Sequence, residues 1–127
     1  MYIARKGEGA EDLMRARRLV CRALLDQHRL VVEALGKRFS ISPYWDSLLL
    51  LYLAELEGQS FYQSCLATGA SPSNAHRQSA RLAKLGLVVR EADPDDNRRT
   101  TVRLSKETRT TLDELMDRIG AIEMLEP

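Results

Sequence analysis

From Glu11 to Leu35 the chain has neither proline nor glycine, and Leu13, Ala16, Val20, Leu24, Val31 and Leu35 recur at close to helical spacing. The pattern predicts one long amphipathic helix. Glu11 and Asp12 suit its positive N-terminal end, and Gly36 is placed to stop it, with Lys37 and Arg38 just beyond. A helix of about 25 residues is roughly 37 Å long, more than a 127-residue chain needs for one core face. The excess predicts a partner, most simply a second copy of the chain; the alternative is a helix folded back on its own core. The segment before it, with Arg5, Lys6, Gly7 and Gly9, reads as a loose arm.

A second helix is predicted from Pro43 to about Glu57, with Ser42 as its capping hydroxyl and proline at the position where a missing N–H costs nothing. Trp45, Leu48, Leu49, Tyr52 and Leu56 make it apolar on more than one face, as a central core helix would be. A short helix is expected from Ser60 to Thr68, with Phe61, Cys65 and Leu66 turned inward, and then a tight Gly69-Ala70-Ser71 turn. The next helix, Ser73 to Leu85, is capped by Ser71 or Ser73 and stopped at Gly86. Its thin inner face is Ala75, Ser79 and Leu82, completed by Ala83 or Leu85.

After Gly86 the period changes. Leu87-Val88-Val89 and Thr100 to Leu104 predict two short strands, joined by the charged turn Asp93 to Arg99. Val102 and Leu104 point inward, and Thr101 and Arg103 outward. A last helix follows from Lys106 to Ile119, capped by Ser105, with Leu112, Leu115, Met116 and Ile119 as its stripe. The tail keeps Ile122, Met124 and Leu125, for a further short helix or for a partner. Two helices joined by a glycine-containing turn, then a hairpin, predict a mainly α fold with a small β-hairpin wing, a winged helix-turn-helix flanked by N- and C-terminal helices. The whole chain, 1–127, reads as one domain: the long helix 11–36, the winged core 43–104, and the C-terminal helix and tail 105–127.

Charge narrows the chemistry. With a net charge of +1, any nucleic-acid footprint has to be a local patch. One is visible on the outward face of the Ser73–Leu85 helix, where Ser73, Asn74, His76, Arg77, Gln78, Arg81 and Lys84 fall together. Hydrogen-bonding side chains in the first turns of a helix suit base edges in a major groove, where arginine bonds guanine through two hydrogen bonds. Arg98 and Arg99 stand at the wing tip, where an extended side chain can enter a minor groove. The acids before them, Asp93, Asp95 and Asp96, can hold those arginines by ion pairing and also reduce the local positive field. A polar helix face alone is usually just a solvated one; the neighbouring basic hairpin tip points to double-stranded DNA.

Other classes find little support. His28 and His76 lie on predicted helices without a nucleophile or carboxylate constellation, and no GxSxG, CxxC or HxxxH spacing occurs. No enzymatic activity, metal or cofactor is expected. Cys21 and Cys65 are too far apart in sequence for a disulfide scaffold, which suits a reducing cytoplasm. For a redox-sensing thiol, Cys21 with Arg17, Arg18 and Arg22 nearby is the better candidate, Cys65 being expected inside. No N-terminal run reads as a signal peptide, and Leu48–Leu53 is too short to cross a bilayer, so no membrane partner is expected. Phe39, Tyr44, Trp45 and Tyr52 can line an effector pocket but fit a core better.

Three pieces in register carry a family resemblance. Ser73-Asn74-Ala75-His76-Arg77 followed by Leu82-Ala83-Lys84-Leu85-Gly86-Leu87-Val88 is similar to a recognition helix of the form S-T-V-S-R ending in G-L-V. Asp96-Asn97-Arg98 matches a D-x-R wing, and Val102-Arg103-Leu104-Ser105 matches the V-x-L-T that closes it. Over roughly Trp45 to Ile119 the chain resembles the MarR family of winged-helix transcription factors. The resemblance implies a homodimer built from the N- and C-terminal helices on a pseudo-palindromic operator. It implies that Arg77 and its neighbours Ser71, Ser73, Asn74, His76 and Arg81 read the major groove. It also implies that Arg98 inserts into the minor groove while Asp96 orients it. The chain departs from the family at His76, where serine or threonine is usual, and at Asn74, where threonine is. It has room for only one full helix after the wing, where two are common. The competing reading is a winged helix used as a protein-interaction module. In that case acids or apolar residues should interrupt the face that carries Arg77, Arg81, Arg98 and Arg99.

Overall fold

The computed structural model describes residues 6–39, 43–66 and 72–124. The Ser42 cap, the Gly69-Ala70-Ser71 turn, the first five residues and Leu125 lie outside these. Four helices and a hairpin follow in the expected order: α1 (Lys6–Leu35), α2 (Pro43–Leu56), α3 (Pro72–Lys84), β1 (Val88–Ala92), β2 (Thr100–Leu104) and α4 (Lys106–Met124). The strands pair antiparallel, with Val88 opposite Leu104 and Ala92 opposite Thr100.

Helix α2 sits at the centre. Leu49, Leu51 and Tyr52 are fully buried and Ala54 and Leu56 nearly so, on opposite sides of one helix. Val20 and Cys21 of α1, Leu82 of α3, Val88, Val102 and Leu104 of the hairpin, and Leu112 and Met116 of α4 close around it. Gly120 of α4 faces Val20 of α1: a Cβ there would stand 3.4 Å from Val20 Cγ2, an ordinary contact distance. The stops work as glycine allows. Gly86 takes φ +77°, so that Gly86 N–H donates to Ala83 O and Leu87 N–H to Leu82 O, both at 3.0 Å. This paired closure ends α3 and turns the chain straight into β1. Ser105 caps α4 as expected, accepting the Thr108 N–H at 3.2 Å.

Four boundaries differ from the sequence pattern. Helix α1 starts at Lys6 rather than Glu11, so Gly7 and Gly9 are helical; its 30 residues span roughly 45 Å. Helix α4 runs through Gly120 to Met124 instead of stopping at Ile119. Strand β1 extends to Ala92. The fourth difference matters most for the site. The helix expected over Ser60–Thr68 is absent from its described part. Tyr62 is extended and bridges to Thr101, Phe61 O accepts the Val102 N–H at 2.9 Å, and only one 3-10 turn, Gln63–Cys65, follows. Once β2 supplies these backbone partners, a helix has no hydrogen-bonding advantage there. Cys65 is accordingly exposed rather than inside.

A charged network ties the flanking helices to the core. Tyr52 Oη donates to Asp113 Oδ1 at 2.6 Å. Arg17 of α1 grips Asp117 of α4 through two hydrogen bonds of 2.9 Å and lies 3.6 Å from Asp113. Arg109 reaches Asp113 at 3.3 Å and Glu55 at 3.8 Å, and Glu55 in turn accepts the Leu104 N–H at 2.9 Å. Burial first, and then the bond to Asp113, push the Tyr52 phenol far up, so it stays a neutral donor. The Arg17 hydrogen bonds hold the Asp117 carboxyl below its usual range.

Two outcomes follow for stability. Leu49→Ala, at a fully buried position, should cost about 2–5 kcal/mol in urea unfolding. Because the folded-state pKa of Asp117 is depressed, its contribution is present above the unfolded value of about 3.9 and is lost as pH falls through the folded one. Asp117→Asn should therefore lower the urea midpoint at neutral pH and converge with the parent chain in acid. Parallel midpoints across the whole range would show that this pair contributes nothing.

Candidate nucleic-acid interface

Helix α3 divides as its sequence suggests. Ala75, Ser79 and Leu82 are buried, and of the two alternatives for the rest of the inner face it is Ala83 that turns in, Leu85 being exposed. Ser73, Asn74, His76, Arg77, Arg81 and Lys84 all face outward. Within this row Arg77 Nη2 donates to Asn74 Oδ1, which extends the guanidinium along the helix surface. The helix carries no acidic residue from end to end, so nothing on it opposes the arginines. Ser71 lies outside the described residues.

Gln78 does not join this face. Its side chain reaches back to Ser47 of α2, whose hydroxyl lies 2.8 Å from Gln78 Oε1 and 3.0 Å from Leu66 O. Ser79 makes a parallel attachment, 2.7 Å from Gln63 Oε1 and 3.0 Å from His76 O, with Arg90 Nη1 at 3.4 Å. A hydroxyl has one proton for two acceptors. Each serine can therefore satisfy both contacts only if the glutamine turns its NH2 toward it. Sequence reasoning put Gln78 outside because it counted polarity; the signal it lacked was a second polar residue, Ser47, buried on the neighbouring helix.

The wing places its two arginines differently. The Arg98 side chain is 91% exposed, and Asp96 holds it from below, accepting Arg98 Nε at 3.1 Å, Nη2 at 3.3 Å and the backbone N–H at 3.0 Å. These hydrogen bonds, the side-chain one first, lower the Asp96 pKa. Arg99 folds back to the root of the wing. Its Nη2 lies 3.0 Å from Asp93 Oδ2, and its guanidinium stacks 4.4 Å over the Tyr62 ring. Between wing root and α3 runs a cleft of about 270 Å³, walled by Tyr62, Gln63, Ser64 and Ala75 on one side and by Arg98, Arg99 and Thr100 on the other. Wing and helix thus open onto one cleft. Asp93 and Asp96 are neutralised within the wing, and Glu91 pairs with Arg103 at 3.2 Å.

The other candidate residues go elsewhere. His28 contacts Asp46 between α1 and α2 at 2.5 Å. Cys21 is buried and donates to Leu49 O at 3.3 Å; burial pushes its thiol up to about 12. The expectation that Cys21 is the better redox candidate is therefore overturned, because burial outweighs the neighbouring Arg22. Tyr52 belongs to the core, Trp45 packs against it partly buried, and Tyr44 is exposed. Among the described residues no group of three His, Cys, Asp or Glu side chains could hold a metal ion. No described helix is long and apolar enough to cross a membrane.

Solved structures share this architecture. The chain matches a protein of Archaeoglobus fulgidus with a TM-score of 0.52 at 17% identity, over 72% of this chain and 96% of that one. It matches a mutant MarR from E. coli at 0.51 and 17%, over 94% and 79%. It matches MepR from S. aureus, in a MepR–DNA complex, at 0.50 and 16%, over 84% and 75%. No protein-family model and no curated protein sequence matches the chain. At these identities the likeness establishes the fold, the winged helix of MarR-type regulators.

The geometry makes a direct statement about thiol chemistry. In the folded chain one thiol, that of Cys65, should react rapidly with an aromatic disulfide reagent, and Cys21 should react only after denaturation. Peptide mapping of the first-labelled site checks this; rapid labelling of Cys21 would contradict the packing of α1 on α2.

Proposed function

We propose that the chain is a sequence-specific regulator of transcription that binds double-stranded DNA as a homodimer on a pseudo-palindromic operator. The observation that carries this reading is the acid-free outward face of α3 together with an arginine, Arg98, that the neighbouring wing holds out in solvent. In it Ser73, Asn74, His76, Arg77 and Arg81 meet the major groove, and Arg98, oriented by Asp96, meets the minor groove. Ser71, just ahead of α3, is proposed to join them. The MepR structure with which the chain shares its fold is a complex with DNA, which supports the same use of the fold here.

The dimer is supported by what α1 leaves uncovered. Leu13, Leu19, Leu30, Val31 and Leu35 are exposed along it, and Ile122 near the end of α4 is 64% exposed. These are more large apolar side chains than a solvated helix pair requires. A second copy seated there would set two α3 helices against one face of a duplex, about 34 Å apart. The competing use of the fold, as a protein-interaction surface, requires acids or apolar residues across the face, and α3 has no acid there. No catalytic role is proposed.

Selection from a random duplex library at low salt, followed by salt titration of the enriched sequence, tests the reading. An inverted repeat with half-sites one helical turn apart is expected. On that site Arg77→Ala should cost about 1–3 kcal/mol and relax preference at one position of each half-site. Arg98→Ala should weaken binding and reduce the preference for narrow, A·T-rich minor groove. Failure to enrich any sequence would overturn DNA recognition, and equal affinity of wild type and both variants would overturn these roles.

A further inference from the structure

We propose that Arg99 is a positioning residue rather than a DNA contact: it locks the wing to the segment that leads into α3 and so fixes the reach of Arg98. The inference rests on the DNA-binding reading above and refines which residues of that site touch the nucleic acid.

Arg98 and Arg99 are adjacent and chemically identical, yet the wing treats them in opposite ways. Arg98 lies in the turn with its side chain 91% exposed, whereas Arg99, the last residue before β2, is 48% exposed and bends back over the wing root. Arg99 faces Asp93, whose side chain is just 6% exposed. Asp93 is already fixed by the turn: its Oδ1 accepts the Asp95 N–H at 2.9 Å, and its own N–H donates to Arg99 O at 3.0 Å. A carboxylate that deeply placed needs a cation, and Arg99 Nη2 supplies it at 3.0 Å. The flat face of the same guanidinium covers the Tyr62 ring. Only arginine offers a hydrogen-bonding edge and a stacking face in one group; lysine offers a point charge.

Tyr62 is where the wing becomes coupled to the recognition helix. Its backbone bridges Thr101 of β2, and the next residue, Gln63, holds Ser79 on the buried side of α3. A continuous run of contacts therefore joins Asp93, Arg99, Tyr62, Gln63 and Ser79. At one end is the turn that carries Arg98, and at the other the helix that carries Arg77. The spacing of the two DNA-facing elements is set through this run. For Arg99 to reach a phosphate it would have to leave both the buried Asp93 carboxylate and the Tyr62 ring.

Two measurements on the full chain decide the matter. First, in the free protein, hydrogen exchange at the Asp93, Asp96 and Arg99 amides should speed up in Arg99→Ala and in Tyr62→Leu, with α3 still folded by circular dichroism. Unchanged exchange would overturn the clamp whether or not DNA binds. Second, on the DNA site selected by the wild type, Arg99→Ala should weaken binding on the order of tenfold. It should lose discrimination at the positions that Arg98 reads while keeping that at the Arg77 positions. Arg99→Lys should not restore it, and the Arg99→Ala/Tyr62→Leu double variant should be no worse than the poorer single one. The slope of log affinity against log salt should stay that of the wild type. A slope reduced by about one, with additive losses uniform across sequences, would make Arg99 a phosphate contact and overturn the inference. A wild-type chain that selects no DNA would overturn the DNA reading alone, and the exchange result would still decide whether Arg99 clamps the wing.

Discussion

A helix that is apolar on every side cannot meet water on any of them, and α2 is such a helix. Leu49, Leu51, Tyr52, Ala54 and Leu56 are buried around its circumference, so four separate pieces of chain have to cover it: α1, α3, the hairpin and α4. That one requirement sets the relative placement of everything else. Several polar groups that lie against it are matched within the protein, as burial favours, while Asp46 Oδ1 is buried without a hydrogen-bond partner among the described residues. Tyr52 finds Asp113, Ser47 finds Leu66 O and Gln78, and the Asp113 carboxylate draws Arg17 and Arg109 to it. The outer helices are thus registered on the core by charge as well as by packing.

How much of this could be read from the sequence depended on which force decided each element. Helices decided by apolar period and glycine stops were legible: α2 and α3 follow their stripes, α1 is helical as its period implies although only Val20 and Leu24 of its stripe meet the core, and Gly86 and Ser105 act as their positions suggest. Where a tertiary hydrogen bond decided the backbone, the sequence misled. Phe61 and Cys65 lie at helical spacing, but the partner that pulls Phe61–Tyr62 into extended form is β2, forty residues away. The same limit applied at the candidate site. Arg77, Arg81 and Arg98 stand outward as their positions imply. Gln78 and Arg99 look just as polar, yet Gln78 is turned toward Ser47 and Arg99, still half exposed, bends back onto Asp93 and Tyr62, because these partners belong to other elements or become buried only on folding.

A nearly neutral chain suits selective rather than indiscriminate attraction to a polyanion. Many of its arginines are occupied: Arg17, Arg22, Arg99, Arg103 and Arg109 all face carboxylates of the same chain. The cations of α3 are left without acids on their own helix, and Arg98, though paired with Asp96, is left extended into solvent. Positive charge is therefore concentrated by cancelling it elsewhere, not by adding more of it. On the DNA-binding reading, contacts to bases then weigh more in the total than long-range attraction does.

The attachment of β2 to the rest of the chain has a consequence for solubility. A two-stranded ribbon ordinarily leaves both outer edges as templates on which another chain can add a strand. Along β2 two outward amides are already taken, Val102 N–H by Phe61 O and Leu104 N–H by the Glu55 carboxylate. One edge of the hairpin is thereby partly covered by main chain and side chain of the same molecule. Copies of the protein that gather at high local concentration meet a ladder there that is already half occupied, which disfavours strand-to-strand addition along that edge.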